Sequence, residues 1–372
     1  MDLFTMLHRL TLALCIAVLS LAALFPTAVL AQEKTVNIYG WSDYIDPKVL
    51  EDFTQESGIR VVYDAYDNND VMDMKMLAGK TGYDIVVANT ASLHRFILAG
   101  VLMPIEGRRL SNHINLSPEI MERLKLHDPG NRFAVPYLWG TIGVGINVAS
   151  VKKRLGGTVP DSWQVLLDPQ MSNRLKDCGI HVLDSPEEVL PAVLRALKLD
   201  PNSKNPNDIL KAGDALSRVR GNVRKFHASD YINALVTGEI CVAVGLSSDI
   251  QQARKRAKEA RNGVEIAYII PKEGAQMWFD SIVIPRDAPN PEPALSFINY
   301  MLRPDIAAAN ANFTESASAN KRSQALTRPD LFNYPGIYPA DETMKRLFAN
   351  TALDENQQRT MARAWARAKT GK

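Results

Sequence analysis

Residues 35–63 read TVNIYGWSDYIDPKVLEDFTQESGIRVVY, and their grammar decides the fold class. Val36 and Ile38 alternate in a strand that ends at Gly40. Asp46 then stands as a helix N-cap with Pro47 in the first helical position. Val49, Leu50 and Phe53 make one apolar stripe, and Gly58 closes the helix. Ile59 to Tyr63 is a second strand. Outward from this unit come a helix from about Asp70 to Leu77, ended by Gly79, and a third strand from Tyr83 to Val87. That third strand is apolar enough to be buried on both faces. Strands alternating with short helices predict an α/β fold, a parallel sheet with helices on both sides.

The same grammar returns later in the chain. Residues 133–148, FAVPYLWGTIGVGINV, read as two extended segments around Gly140. Strands are expected at Ile240–Val244, Val264–Ile270 and Ser281–Ile284, and helices at Pro291–Leu302 and Asp354–Lys369. Asp249 is expected to cap a basic helix that runs to Arg261. No low-complexity linker separates two lobes, so the chain is expected to cross between them more than once, near Tyr137–Gly143 and near Val264.

A length of 372 residues is enough for about two domains with their own cores. With 46% hydrophobic and 23% charged residues, disorder and fibrous repeats are excluded. A net charge of +2, with no basic run interleaved with aromatics, excludes a general nucleic-acid binder. At the start, Arg9 precedes an almost wholly apolar run from Leu10 to Leu24. Pro26 and then Val29-Leu30-Ala31 follow, ahead of Gln32. This is the pattern of a signal peptide covering residues 1–31, cleaved after Ala31. The competing reading, a membrane anchor, is opposed by the shortness of the run and by Pro26. Export leaves two cysteines, Cys178 and Cys241, in an oxidising compartment. They are expected as a disulfide, the alternative being two unrelated buried thiols. Two cysteines and five histidines without metal-ligand spacing give no reason to expect a metal or another cofactor.

Ligands of open α/β sheets bind beyond the carboxyl ends of the strands. The first strand delivers Trp41, Ser42, Asp43 and Tyr44 there, the third delivers Asn89, and the later strands deliver Ser247-Ser248-Asp249 and Trp278-Phe279-Asp280. Trp278 and Asp280 share a face if the segment is extended. Aromatic rings beside carboxylates suit an organic ammonium group: the ring quadrupole attracts the cation and the carboxylate accepts a charge-assisted hydrogen bond. Plainer readings stand beside this one. Either Trp could be core, Asp249 could be only an N-cap, and Ser185/Glu188 with Pro186 fits a capping box.

Longer strings carry a resemblance. GWSDYIDPKVLEDFTQESGIRVVYD, KLHDPGNRFAVPYLWGTIGVGINV, CGIHVLDSPEEVL, FHASDYIN, GEICVAVG, PKEGAQMWFD and NYPGIYP together resemble the bacterial putrescine/spermidine-binding periplasmic proteins over essentially the whole mature chain. The resemblance implies a two-lobed periplasmic binding protein fold of type II. Each lobe would be a mostly parallel sheet flanked by helices, with the ligand cleft between them. One lobe is expected to hold residues 32–138 plus about 255–305, the other 139–254 plus about 306–372. It further implies that Trp41 and Tyr44 wall the cleft, with polar contacts from Ser42 and Asp43. Glu188, Asp249 and Asp280 would hold ammonium ends, Trp278 would stack on the methylene chain, and Cys178 and Cys241 match the family's disulfide. The implied partners are a polyamine and the permease subunits of an ABC importer in the inner membrane, with the protein itself a periplasmic monomer. Three positions depart from the family: Asn89 stands where Ser is common, and Leu246 and Ser316 stand in place of aromatics.

Two other functions compete. The same scaffold could bind an ω-amino acid, which requires a guanidinium or a helix N-terminus aimed at the ligand carboxylate. A secreted hydrolase would need an activated nucleophile, and the chain has no GxSxG, no HExxH and no SxxK with its partner motifs. Paired acids could suggest a glycosidase, but no positioned general acid can be argued. The expected function is solute capture, not catalysis.

Overall fold

Asp46 accepts a hydrogen bond from the Lys48 N–H at 2.9 Å, and Gly58, at φ 68°, donates to the Thr54 carbonyl. The helix Pro47–Ser57 therefore begins and ends where its own residues dictate, and it buries Val49 and Phe53. The structure is a computed structural model that describes residues 34–371. The predicted signal peptide and its cleavage after Ala31 lie outside the described residues.

The described residues form eleven strands in chain order: β1 (Thr35–Trp41), β2 (Arg60–Tyr66), β3 (Ile85–Asn89), β4 (Ala134–Asn147), β5 (Ile180–Leu183), β6 (Lys225–His227), β7 (Val242–Leu246), β8 (Ile266–Ile269), β9 (Gln276–Val283), β10 (Ala317–Ser318) and β11 (Phe348–Ala349). The sheet runs β2-β1-β3-β9-β4-β7-β5-β6, with β8 and β10 also pairing β4 and β11 pairing β9. The outer triplets, β2-β1-β3 and β7-β5-β6, are parallel, as βαβ connections require. The strands that join them, β9 and β4, run antiparallel to their neighbours in the main path.

β4 divides the sheet into two halves. Its residues 134–141 pair with β9 and β10, and residues 142–147 pair with β7 and β8. The break expected at Gly140 is absent: β4 is one strand of 14 residues, buried along its whole length. Gly140 is there for packing. A Cβ on it would collide with the Trp278 ring and the Ser247 hydroxyl. β9 begins five residues before the expected Ser281, so Trp278 and Asp280 lie within it, and alternation puts both on one face.

The chain passes between the halves at least three times. It does so within β4, between β8 and β9, and after β11, where the helix Glu355–Thr370 packs on the helix Pro206–Val219. Polar contacts fix the last passage. Arg123 donates to the carbonyls of Met344 and Leu347 at 2.8 and 2.9 Å, and Asn350 donates to the Glu187 carbonyl at 2.7 Å.

Cys178 and Cys241 are bonded, with Cα atoms 5.4 Å apart, immediately ahead of the neighbouring parallel strands β5 and β7. The bond closes a loop of 63 residues in numbering. Restricting the unfolded chain by that loop is worth about 4 kcal/mol in the chain-entropy account. We expect the Cys178→Ala/Cys241→Ala protein to lose about 2–4 kcal/mol in denaturant unfolding; an unchanged midpoint would show that the bond does not stabilise the fold.

Candidate ligand-binding cleft

The carboxyl ends of β1, β3, β5 and β7 open into one cleft of about 910 Å³ between the two halves of the sheet. All nine residues expected at a ligand site line it: Trp41, Ser42, Asp43, Tyr44, Asn89, Glu188, Asp249, Trp278 and Asp280.

The β1 side is built by tyrosines. Tyr63 donates to the Trp41 carbonyl at 2.6 Å, and the Trp41 ring packs on Tyr66 with centroids 4.5 Å apart. Asp43, at φ 52°, turns the chain so that Tyr44 faces inward. Tyr137 then holds the Tyr44 carbonyl at 2.9 Å, and the Tyr44 hydroxyl donates to Asp280 at 2.5 Å. Asn89 spends its side-chain oxygen on the Ser92 N–H at 2.8 Å, capping the helix Thr90–Ala99.

On the other side, two expectations about helix caps are overturned. The helix Ser247–Ala260 has Leu246 at its N-cap, so Asp249 is the third helical residue and not the cap. Its carboxylate instead accepts a hydrogen bond from Tyr231 at 2.5 Å. The helix Pro186–Ala196 does have Ser185 at its N-cap and Pro186 after it, but no side-chain cap forms there. Ser185 hydrogen-bonds the Glu188 carboxylate, so this pair faces the cleft and the expected capping box is not made.

The electrostatics are one-sided. Among the described residues, eight carboxylates line the cleft against a single guanidinium, Arg95, and Asp73 engages that in an ion pair. Burial pushes Asp249 and Asp280 up to about 6. It pushes Glu188 up to about 7, with the nearby charges of Asp249 and Asp280 acting in the same direction. The groups that hydrogen-bond these three acids are hydroxyls, from Tyr44, Tyr231, Ser185 and Ser248. Three costly negative charges beside aromatic walls are suited to a cation with an apolar body. Among the described residues no group of three or more His, Cys, Asp or Glu side chains could hold a metal ion.

Sequence reasoning missed Tyr231, whose only local signal was an apolar residue opening a helix. It also missed Gln276, which lines the cleft beside Asn350, for want of any motif there.

Fold and cleft together define a solute-binding protein. The chain belongs to the bacterial extracellular solute-binding protein family, which matches residues 48–340. It is 45% identical to the putrescine-binding periplasmic protein SpuD of Pseudomonas aeruginosa, over 92% of this chain and 94% of that one. It is also 45% identical to the putrescine-binding periplasmic protein PotF of Escherichia coli, over 92% and 93% of the two chains. The spermidine/putrescine ABC transporter substrate-binding protein PotD of Streptococcus pneumoniae superposes with a TM-score of 0.82 at 28% identity, covering 91% of this chain and 99% of that one.

Proposed function

We propose that this protein works in the periplasm, where it captures a linear di- or polyamine of putrescine or spermidine type and delivers it to an ABC importer. The observation that carries this reading is a set of three carboxylates in the cleft wall, Asp280 buried and Asp249 and Glu188 half-buried, each pushed toward neutrality and none in an ion pair among the described residues. Asp280, Asp249 and Glu188 take the ammonium groups, and Trp41, Tyr44 and Trp278 enclose the methylene chain. Ser42, Asp43 and Asn89 supply polar contacts at the mouth. The ω-amino acid alternative is opposed on both counts: the guanidinium that lines the cleft among the described residues is engaged by Asp73, and the helix starts at Pro186 and Ser247 that reach the cleft carry Glu188 and Asp249, which repel a ligand carboxylate. No residue is assigned to catalysis, and the protein acts as a monomer.

The two halves of the sheet serve as the lobes. We assign β8, which pairs with the second half of β4, to the second lobe, and β10 and β11, which pair with the first half of β4 and with β9, to the first; the later crossings are then taken at residues 270–275 and after Ala349, instead of about 255 and about 306. A ligand that touches both lobes favours the closed arrangement by its extra contacts there.

A thermal-shift panel of putrescine, cadaverine, spermidine, γ-aminobutyrate and glucose tests the class of ligand. At a hundredfold excess over Kd, a ligand adds about 2.7 kcal/mol of stability, a rise of roughly 5 °C for a chain of this size. We expect that rise with the amines and none with glucose or γ-aminobutyrate. Stabilisation by γ-aminobutyrate alone would transfer the assignment to the amino-acid reading.

A further inference from the structure

We infer that Tyr231 is a positioning residue of the amine site, holding the Asp249 carboxylate at the cleft wall without itself touching the ligand. The inference rests on the reading of Asp249 as an ammonium partner. Tyr231 is wholly buried at the start of the helix Tyr231–Val236 and does not line the cleft. Its ring lies over Gly245, where a Cβ would stand 2.6 Å from the ring carbons Cε2 and Cζ. Its hydroxyl accepts from the Leu246 N–H at 3.4 Å and donates to Asp249 Oδ2 at 2.5 Å. A glycine without side chain, a backbone donor and a phenol thus fix one carboxylate oxygen from behind. On the opposite wall Tyr44 does the same for Asp280, but Tyr44 lines the cleft, so its removal would mix contact with positioning.

A hydroxyl donated to a carboxylate favours the charged form, which is the form an ammonium needs. The other groups that act on this corner are Glu188 from the helix Pro186–Ala196, together with Arg256 and Ser248 from the helix that carries Asp249. None of them is altered by removing the phenol oxygen, so the change reads out on Asp249.

Calorimetric titration with putrescine from pH 6 to pH 8.5, on wild type, Tyr231→Phe and Asp249→Asn, tests this. Tyr231→Phe should bind roughly tenfold more weakly at pH 8, since it loses a hydrogen bond to a charged group. Its affinity should also fall away at a higher pH than wild type, because the Asp249 carboxyl becomes harder to ionise. Wild-type affinity with an unshifted pH profile would overturn the positioning role, and so would a loss equal at every pH, which packing alone produces. If wild type binds no amine, the amine reading itself fails and this inference falls with it. Should Tyr231→Phe not fold, Asp249→Glu moves the same charge one methylene away from the hydroxyl. Weaker binding with an upward-shifted profile is then expected, and wild-type behaviour would overturn the inference.

Discussion

Asp280→Asn is expected to weaken putrescine binding by at least about thirtyfold while leaving the empty protein as stable as before, or more so. Losing one partner of a desolvated ammonium–carboxylate contact costs about 2–5 kcal/mol, because the remaining charge stays buried without compensation. The Asn side chain still accepts the Tyr44 hydroxyl, so the local geometry has a substitute acceptor. Stability moves the other way. The carboxyl of Asp280 is pushed up to about 6 by burial, whereas an unfolded Asp titrates near 3.9. Folding at neutral pH therefore holds a charge that the folded protein disfavours, at a cost of up to about 3 kcal/mol. That cost is absent below about pH 4, grows between about pH 4 and 6, and is fully present above. An uncharged Asn avoids it. Calorimetric titration and melting of the same sample decide the matter. Binding within threefold of wild type would remove Asp280 from the site, and a large drop in melting temperature would show it to be a structural residue.

The second large effect is on pH. Burial pushes Asp249, Asp280 and Glu188 up to about 6, 6 and 7. A cation bound among them favours their ionised forms and pulls all three down, so binding expels protons. Affinity should be highest above pH 8 and should fall as pH drops through 7 and 6, by roughly a hundredfold or more by pH 5. The amine does not contribute to this trend, since a primary ammonium stays charged throughout the range. Titrations in buffers of different ionisation enthalpy should register net proton release near pH 6.5. A flat affinity between pH 5 and 8 would mean that the three acids are not the amine partners.

Much of the fold was legible because its signals are local. The cap and stop of the helix Pro47–Ser57 lie within two residues of its ends. β3 is a short apolar run that is buried on both faces. β4 was misread as two segments because Gly140, followed closely by Gly143 and Gly145, reads as a break. Their reason is tertiary: the side chains of Trp278, Tyr268 and Ile250 fill the space where a Cβ would stand. The wall residues of the cleft were legible because strand ends predict where a ligand lies. The cap readings of Asp249 and Glu188 failed for a related cause. A local pattern shows that an acid stands near a helix start, but only the assembled sheet decides whether it turns to the backbone or to the cleft. The local signal of Tyr231, an apolar residue opening a helix, says nothing of its purpose, which is visible only against Gly245 and Asp249.

The three chain passages between the halves of the sheet have a kinematic consequence. They lie side by side across adjacent strands, with β8 against β4, β4 against β9 and β9 against β11. A single tether would let two bodies twist, slide and tumble independently. Three neighbouring tethers oppose sliding and twisting and favour rotation about an axis running through them. Trp41 and Tyr44 on one lip would then swing along a single arc toward Asp249 and Glu188 on the other. Each closure would bring the same atoms face to face, so the spacing between charges that the cleft accepts is set by the hinge line as much as by the residues lining it.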